Sequence, residues 1–344
     1  MNKITIKAPY LLFLGRETEP TYAKTGAGIA QWRPELCAGQ LNLERGTVDL
    51  GLPKMSIQDA KAAGVKSLII GTASVGGAIP DDWLDILEEA ALAGLDIVAG
   101  VHSRLSDSPR LVAAAKTSGS TLVDVRVPPK ILPVGTGKKR SGMRLLTVGT
   151  DCALGKKYTA LAIERDMKKR GLNADFRASG QTGIMIAGQG LPIDSVVADF
   201  ISGAAELLSP DNTPDHWDIV EGQGGLYHPG YSGVSIGLLV GSQPDAFVVC
   251  TAAGRTHIEG WPDFELPSID AVIERTISIG QQVNPNICCV GISANTSSLS
   301  EEESAAYLKG LSDKYQLPAV DPIRGSTDAI IDYMNLTFAT KEAS

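Results

Sequence analysis

Leu145-Leu146-Thr147-Val148-Gly149-Thr150-Asp151-Cys152-Ala153-Leu154-Gly155-Lys156-Lys157-Tyr158 is the stretch that decides the fold. A short strand runs into a loop bounded by Gly149 and Gly155, Lys156 closes the loop, and Tyr158 to Arg170 has helical periodicity ending near Gly171. Strand, glycine-bounded loop, lysine and helix in that order form a phosphate-binding loop. Successive backbone N–H groups curl around a phosphate, and the helix N-terminus adds its dipole and its unpaired donors. The glycines permit the backbone angles and the close approach, and Lys156 supplies a mobile positive charge. The common form of the loop has one residue fewer between its glycines than the five found here.

One departure matters more than the match. The position after the lysine ordinarily carries a serine or threonine whose hydroxyl binds Mg²⁺. Here it is Lys157, followed by Tyr158, and Thr159 lies too far along to substitute simply. An ammonium cannot ligate a cation; it adds positive charge beside the phosphate. The loop is therefore expected to anchor a phosphorylated carrier such as coenzyme A without catalytic magnesium, and no metal is expected.

Upstream of the loop, strand-like and helix-like segments alternate. Ser67–Gly71, Asp96–Gly100 and Thr121–Val125 read as strands, and Asp82–Ala93 and Pro109–Thr117 as helices. That alternation predicts a parallel α/β sheet, with glycines at strand ends where such sheets bind ligands. The chain is thus expected to hold a Rossmann-like parallel-sheet domain at 1–133, a linker at 134–143 and a P-loop NTPase-like α/β domain at 144–344. The linker contains Gly135-Thr136-Gly137-Lys138-Lys139, which resembles a phosphate loop only in composition, since no strand leads into it. His102, at a strand end, reads as structural. Downstream, strands are expected at Ile219–Val220, Ala246–Cys250 and Ile287–Ile292, and helices at Ser268–Ile279 and Glu301–Lys314.

The bulk numbers narrow the partners. The chain has 344 residues and a net charge of -8, which disfavours nucleic acid and anionic membranes. The apolar run Tyr10–Leu14 is too short for a signal-peptide core, and no stretch reaches the roughly 18 apolar residues of a membrane span. Five cysteines without a CxxC pair and only four histidines argue against a disulfide framework or a zinc site. A cytoplasmic protein acting on a small molecule is expected, assembled as a homo-oligomer.

A second dense segment is Val220-Glu221-Gly222-Gln223-Gly224-Gly225-Leu226-Tyr227-His228-Pro229-Gly230-Tyr231. A strand delivers a carboxylate into a glycine-rich loop where a P-loop domain places an acidic residue facing the phosphate. The two segments together resemble dethiobiotin synthetase in loop spacing and in the Val-Glu-Gly-x-Gly-Gly strand end. A closer resemblance spans nearly the whole chain. Gly149–Lys156, Ser179-Gly180-Gln181-Thr182-Gly183, Asp194–Asp199, Val220–Tyr231 and Gly241–Ala246 are similar, in that order, to the bacterial D-glutamate N-acetyltransferase family. The resemblance implies acetyl transfer from acetyl-CoA to the amine of D-glutamate, on a fold unrelated to the usual acetyltransferases.

These readings assign roles. Gly149, Thr150, Asp151, Cys152, Ala153, Leu154, Gly155, Lys156, Lys157 and Tyr158 would hold the coenzyme phosphates. The attacking amine must lose a proton, so a positioned base is needed. Glu221 is the first candidate and His228 the second, with Asp194 and Asp199 as further carboxylates. Ser179, Gln181, Thr182, Gln223, Tyr231 and Arg255 are candidates for the substrate's carboxylates and hydroxyl contacts, Arg255 because a guanidinium binds a carboxylate in bidentate fashion. Cys152, ahead of a helix N-terminus and beside two lysines, is expected to have a lowered pKa and raises the possibility of a covalent acetyl intermediate. Direct transfer is preferred, because a thiol in the phosphate cradle would be covered by the ligand. An ATP-dependent ligase resembling dethiobiotin synthetase is the alternative, with Lys157 as the feature against it.

Overall fold

The computed structural model describes residues 4–72, 79–101 and 103–342, which divide into two compact units. The first comprises Met1–Lys130 and Gly180–Ser195, the second Ile131–Ser179 and Val196–Ser344.

In chain order the first stretch contains β1 (Ile4–Thr5), β2 (Tyr10–Gly15), α1 (Lys24–Trp32), β3 (Cys37–Asn42), α2 (Ile57–Ala62), β4 (Ser67–Ile70), α3 (Leu84–Leu92), β5 (Asp96–Ala99), α4 (Pro109–Ser118) and β6 (Leu122–Asp124). The sheet order is β3-β2-β4-β5-β6, and every pairing is parallel. This is a doubly wound order in which the chain reverses its direction of growth at β2. Tyr10–Gly15 is buried at every position, as a strand covered on both faces must be. An apolar run without alternation gives no periodic signal, which is why the sequence marked it only as an apolar segment. Phe13 meets Trp83 edge-to-face, with ring centroids 5.1 Å apart, inside the core of this unit. The helix ends follow local chemistry. Ser108 caps α4 and Pro109 opens it, and Gly119 closes it in the left-handed conformation with φ 80°.

The second stretch contains β7 (Met143–Gly149), α5 (Lys156–Lys169), β8 (Ala174–Arg177), α6 (Gln181–Ala187), β9 (Gln189–Gly190), α7 (Ile201–Leu208), β10 (Trp217–Val220), α8 (Ser232–Ser242), β11 (Ala246–Ala252), β12 (His257–Ile258), β13 (Trp261–Glu265), α9 (Ile269–Gly280), β14 (Cys288–Asn295), α10 (Glu301–Tyr315), β15 (Ala319–Val320) and α11 (Asp328–Glu342). Of these, α6 and β9 pack with the first unit, α6 on α1 and β9 antiparallel to β1. The remaining strands form a parallel sheet of order β15-β14-β11-β7-β10-β8, and β12 and β13 form a separate antiparallel pair.

Strand β7 lies at the centre of this sheet, between β11 and β10. Residues 131–142, which overlap all but the last residue of the linker expected at 134–143, carry no helix or strand, and β7 begins at Met143. They are nonetheless fastened to the second unit. Lys139 pairs with Asp245 at 2.7 Å, and the buried Arg140 donates to the carbonyls of Gly241 and Ser242 at the end of α8. Arg144, fully buried at the start of β7, donates to Ser209 Oγ and to the carbonyls of Arg140, Ser141, Gly142 and Pro210. A buried guanidinium is tolerable only when its donors are used in this way. Among the described residues no helix is long and apolar enough to cross a membrane.

Candidate active site in the second unit

The topology explains why distant residues meet. In a parallel sheet the carboxyl ends of neighbouring strands open on one edge. The register sets Val220 of β10 beside Leu146 and Cys250 of β11 beside Gly149. The segments that follow β10, β7 and β11 therefore emerge together. They carry Glu221, the loop 149–155 and Arg255.

The loop has the geometry expected of an anion cradle. Ala153 and Gly155 both take positive φ, 52° and 102°, and α5 begins at Lys156. The first-turn N–H groups of a helix have no intrahelical acceptor, so they point at whatever occupies the cradle. Lys156 is 7% exposed, and its Nζ donates to the Asp151 carbonyl at 2.7 Å. Burial lowers its pKa, and the nearby Cys250, Cys152, Asp151 and Glu221 oppose that shift. Burial likewise lowers the pKa of Lys157, against the attraction of Glu221. Lys157 Nζ lies 4.5 Å from the centroid of the Tyr158 ring. Thr159 makes no approach to the magnesium-hydroxyl role; its Oγ1 bonds Gly155 O at 3.1 Å and Ser293 Oγ at 2.7 Å beneath the loop.

Glu221 is buried, and its Oε2 accepts the Ser179 N–H at 2.9 Å. Ser179 Oγ donates to the Glu221 carbonyl, and Gln223 Nε2 donates to Ser179 Oγ at 2.9 Å. Gly222 admits no side chain, because a Cβ would lie 1.6 Å from the Thr147 carbonyl oxygen. Its N–H donates to Thr147 Oγ1 at 2.9 Å. The backbone that follows Glu221 is thus tied to β7 through Gly222, while its carboxylate is held by the Ser179 N–H.

Asp151 is the hub. It is 0% exposed. Its Oδ1 accepts the Cys152 N–H at 2.6 Å. Its Oδ2 accepts Arg255 Nη1 at 3.0 Å and the Glu259 N–H at 2.8 Å. Arg255 also bonds the Cys152 carbonyl at 2.9 Å and pairs with Glu259 at 3.1 Å. Arg255 therefore does not stand free for a substrate carboxylate; it straps the segment after β11 to the loop. The lowered thiol pKa expected for Cys152 is reversed. Burial raises it, and the adjoining Lys156 and Arg255 do not outweigh that.

His228 is 1% exposed and lies between two aromatic rings. Tyr231 stacks on it at 4.4 Å, and Trp261 meets it edge-on at 4.6 Å. Tyr231 itself is 49% exposed. His228 Nδ1 accepts the Gly230 N–H at 3.1 Å. Nε2 is buried without a hydrogen-bond partner, 3.9 Å from Asp151 Oδ1. Asp151, Cys152 and His228 offer ligand atoms within 4.8 Å of one another, as a metal set would. A metal-bound imidazole protonates its other nitrogen and donates from it. The Gly230 N–H aimed at Nδ1 prevents that, so His228 presents a donor to this space rather than a lone pair.

Gln181 and Thr182 open α6 in the first unit, and Asp194 of that unit is 3.8 Å from Arg126. Asp199 is exposed. His102, and residues 73–77 of the glycine-rich stretch after β4, lie outside the described residues. Trp261 and Thr147 were not anticipated. A lone tryptophan in a polar stretch and a strand-interior threonine give no local signal; only the pairing of β12 with β13 and of β7 with β10 brings them here.

Residues 133–331 match a family model described as a domain of unknown function, the DUF1611_C P-loop domain, and residues 38–128 match the DUF1611_N Rossmann-like domain. A protein of Tritonibacter scottomollicae named D-glutamate N-acetyltransferase is 47% identical over 327 residues, 95% of this chain and 98% of its own length. A Pseudoalteromonas protein of the same name is 47% identical over 326 residues, again covering 95% of this chain and 98% of that protein. The crystal structure of a DUF1611 family protein from Anabaena variabilis superposes with a TM-score of 0.82 at 31% identity, covering 95% of this chain and 99% of that one.

Proposed function

The chain belongs to the DUF1611 family, and from that membership we propose that it transfers an acetyl group from acetyl-CoA to the amine of D-glutamate, giving N-acetyl-D-glutamate. The observation that carries the donor assignment is the loop at 149–157. It combines an anion cradle with a lysine where a magnesium-binding hydroxyl would stand. Such a loop suits phosphates that are held and not cleaved. The buried ammonium of Lys156, now turned onto a loop carbonyl, has donors to offer a phosphate oxygen, so the residues fit the diphosphate of a coenzyme.

In this reading Gly149 to Tyr158 anchor the coenzyme, whose thioester supplies the acetyl group. Glu221 takes the proton that the amine must lose, and the Ser179 N–H fixes the carboxylate's orientation. Ser179 and Gln223 form a polar wall beside it. With the Gly222 N–H spent on Thr147 Oγ1, the backbone N–H groups of Gln223, Gly224 and Gly225 are the candidates for stabilising charge on the thioester oxygen. Direct transfer needs no acyl-enzyme, and the burial that raises the Cys152 pKa works against a thiolate nucleophile.

The test measures acetyl-CoA consumption with D-glutamate and with L-glutamate, beside calorimetry with CoA and with ATP in the presence and absence of Mg²⁺. Consumption that requires D-glutamate, with CoA binding independent of Mg²⁺, supports the proposal. Binding of Mg-ATP alone overturns it in favour of the ligase reading. Glu221→Gln is expected to lower kcat by about 100-fold or more with CoA affinity nearly unchanged, within the range for loss of a general base.

A further inference from the structure

We infer that His228 is a hydrogen-bond donor of the binding site: its Nε2–H binds an anionic oxygen of the ligand held by the 149–157 loop, and the imidazole takes no proton from the amine. The inference rests on the reading of that loop as the ligand cradle, and not on the identity of the acetyl acceptor.

Two observations converge on it. The Gly230 N–H occupies the Nδ1 lone pair at 3.1 Å, which leaves the single proton of a neutral imidazole on Nε2. That nitrogen is then a buried donor without an acceptor, a condition that costs roughly 1–3 kcal/mol when nothing answers it. Native structures rarely retain such a group without a function. The ring cannot swing away to find water, because Tyr231 and Trp261 hold it on two sides. What Nε2 faces is the loop: Asp151 Oδ1 lies at 3.9 Å, and Cys152 Sγ is within 4.8 Å of both groups.

Burial, more than the charged groups around it, disfavours the protonated imidazole. Burial lowers its pKa, Asp151 opposes this and Lys156 reinforces it. Asp151 is itself taken up by Arg255 and by the N–H groups of Cys152 and Glu259. A fixed neutral donor beside a cationic cradle suits one oxygen of a phosphate or a carboxylate. A general base in this position would present its lone pair to the amine, which this tautomer does not.

The experiment uses the full chain labelled with ¹⁵N-histidine, the His228 signals being identified by their loss in His228→Gln. Long-range ¹H–¹⁵N spectra of the free protein are expected to show Nε2 protonated and Nδ1 bare. CoA, inorganic phosphate and D-glutamate are then added separately. A shift of the Nε2 proton with CoA or phosphate is expected and identifies a phosphate oxygen as the acceptor, whereas a shift with D-glutamate alone, which the loop does not hold, overturns the inference. Protonation at Nδ1, or no shift with any of the three, overturns the inference. A second arm compares variants. Glutamine places an N–H near the position of Nε2 and asparagine does not. His228→Gln should bind the responding ligand within about 3-fold of the wild type, and His228→Asn about 10-fold or more weakly, the scale of a hydrogen bond to a charged group. Equal loss in both variants also overturns it. A protein that acetylates D-glutamate while His228 stays silent defeats this inference alone. A protein whose His228 answers CoA without acetylating D-glutamate defeats only the proposed reaction.

Discussion

Replacing Asp151 by Asn separates two effects that act in opposite directions on ligand binding. The carboxylate is 0% exposed and accepts three donors: the Cys152 N–H on Oδ1, and Arg255 Nη1 and the Glu259 N–H on Oδ2. An asparagine has one acceptor oxygen. If that oxygen takes the Oδ2 position, the amide NH₂ confronts the Cys152 N–H; if it takes the Oδ1 position, the NH₂ confronts two donors. Either way a buried N–H is stranded, at about 1–3 kcal/mol. The Arg255 pair also loses its charge, and a hydrogen bond to a charged group is worth about 1.5–3 kcal/mol. Together the change should cost about 3–5 kcal/mol, in line with breaking a buried ion pair. For a unit of this size about 2–4 °C of Tm follows each kcal/mol, so Tm should fall by roughly 6–20 °C. On electrostatics alone, removing a buried negative charge beside an anion cradle would tighten the binding of phosphates. On the structure, the variant loosens the strap that fixes the loop, and binding weakens. Calorimetry with CoA, alongside thermal unfolding, decides the sign. An Asp151→Asn protein that melts like the wild type and binds CoA more tightly would refute this account of the hub.

Three further outcomes follow from single contacts. Gly222→Ala must push a Cβ away from the Thr147 carbonyl oxygen, 1.6 Å from its ideal position, and should lower stability by about 2–4 kcal/mol through strain and the disturbed Gly222–Thr147 hydrogen bond; an unchanged denaturation midpoint would show that the loop yields freely. Cys152→Ala should retain most acetyl-CoA-dependent turnover without a pre-steady-state burst, since burial raises the thiol pKa; near-total loss in a folded variant would point to an acyl-enzyme. The native imidazole of His228 has its pKa lowered from 6.5, so the unfolded chain takes up the proton first as pH falls. That stability is complete above the ordinary value and is lost as pH drops through the lower, folded one. Urea midpoints of the wild type should therefore fall faster below about pH 6.5 than those of His228→Gln, and parallel curves would exclude the group.

The features legible in the sequence are those with a local cause. The loop and its flanking strand and helix are contiguous, so Leu145 to Lys156 announces itself. Gly222 and Gly224 mark a tight approach, and Pro109 after Ser108 marks a helix start. What the sequence concealed depends on strand order. Arg255 reads as a free cation after a strand, but the placement of β11 beside β7 spends it on Asp151. Cys152 reads as activated by its neighbours in sequence, but its burial is a tertiary property that outweighs them. His228 reads as a base from its ordinary pKa, while the nitrogen that carries the proton is set by a single backbone N–H two residues away.

The chain leaves the second unit after Ser179 and re-enters it at Val196, having contributed α6 and β9 to the first. This has a consequence for synthesis on the ribosome, where domains ordinarily fold in the order in which they emerge. The N-terminal unit lacks the partner of β1 and the helix against α1 until residues 180–195 have been made. By then β7, the phosphate loop, α5 and β8 of the second unit already exist. The two folding events are interleaved in time. A gene cut at residue 131 would leave each fragment without a clean end: the first would lack its last strand and helix, and the second would carry an orphaned stretch of sixteen residues between β8 and α7.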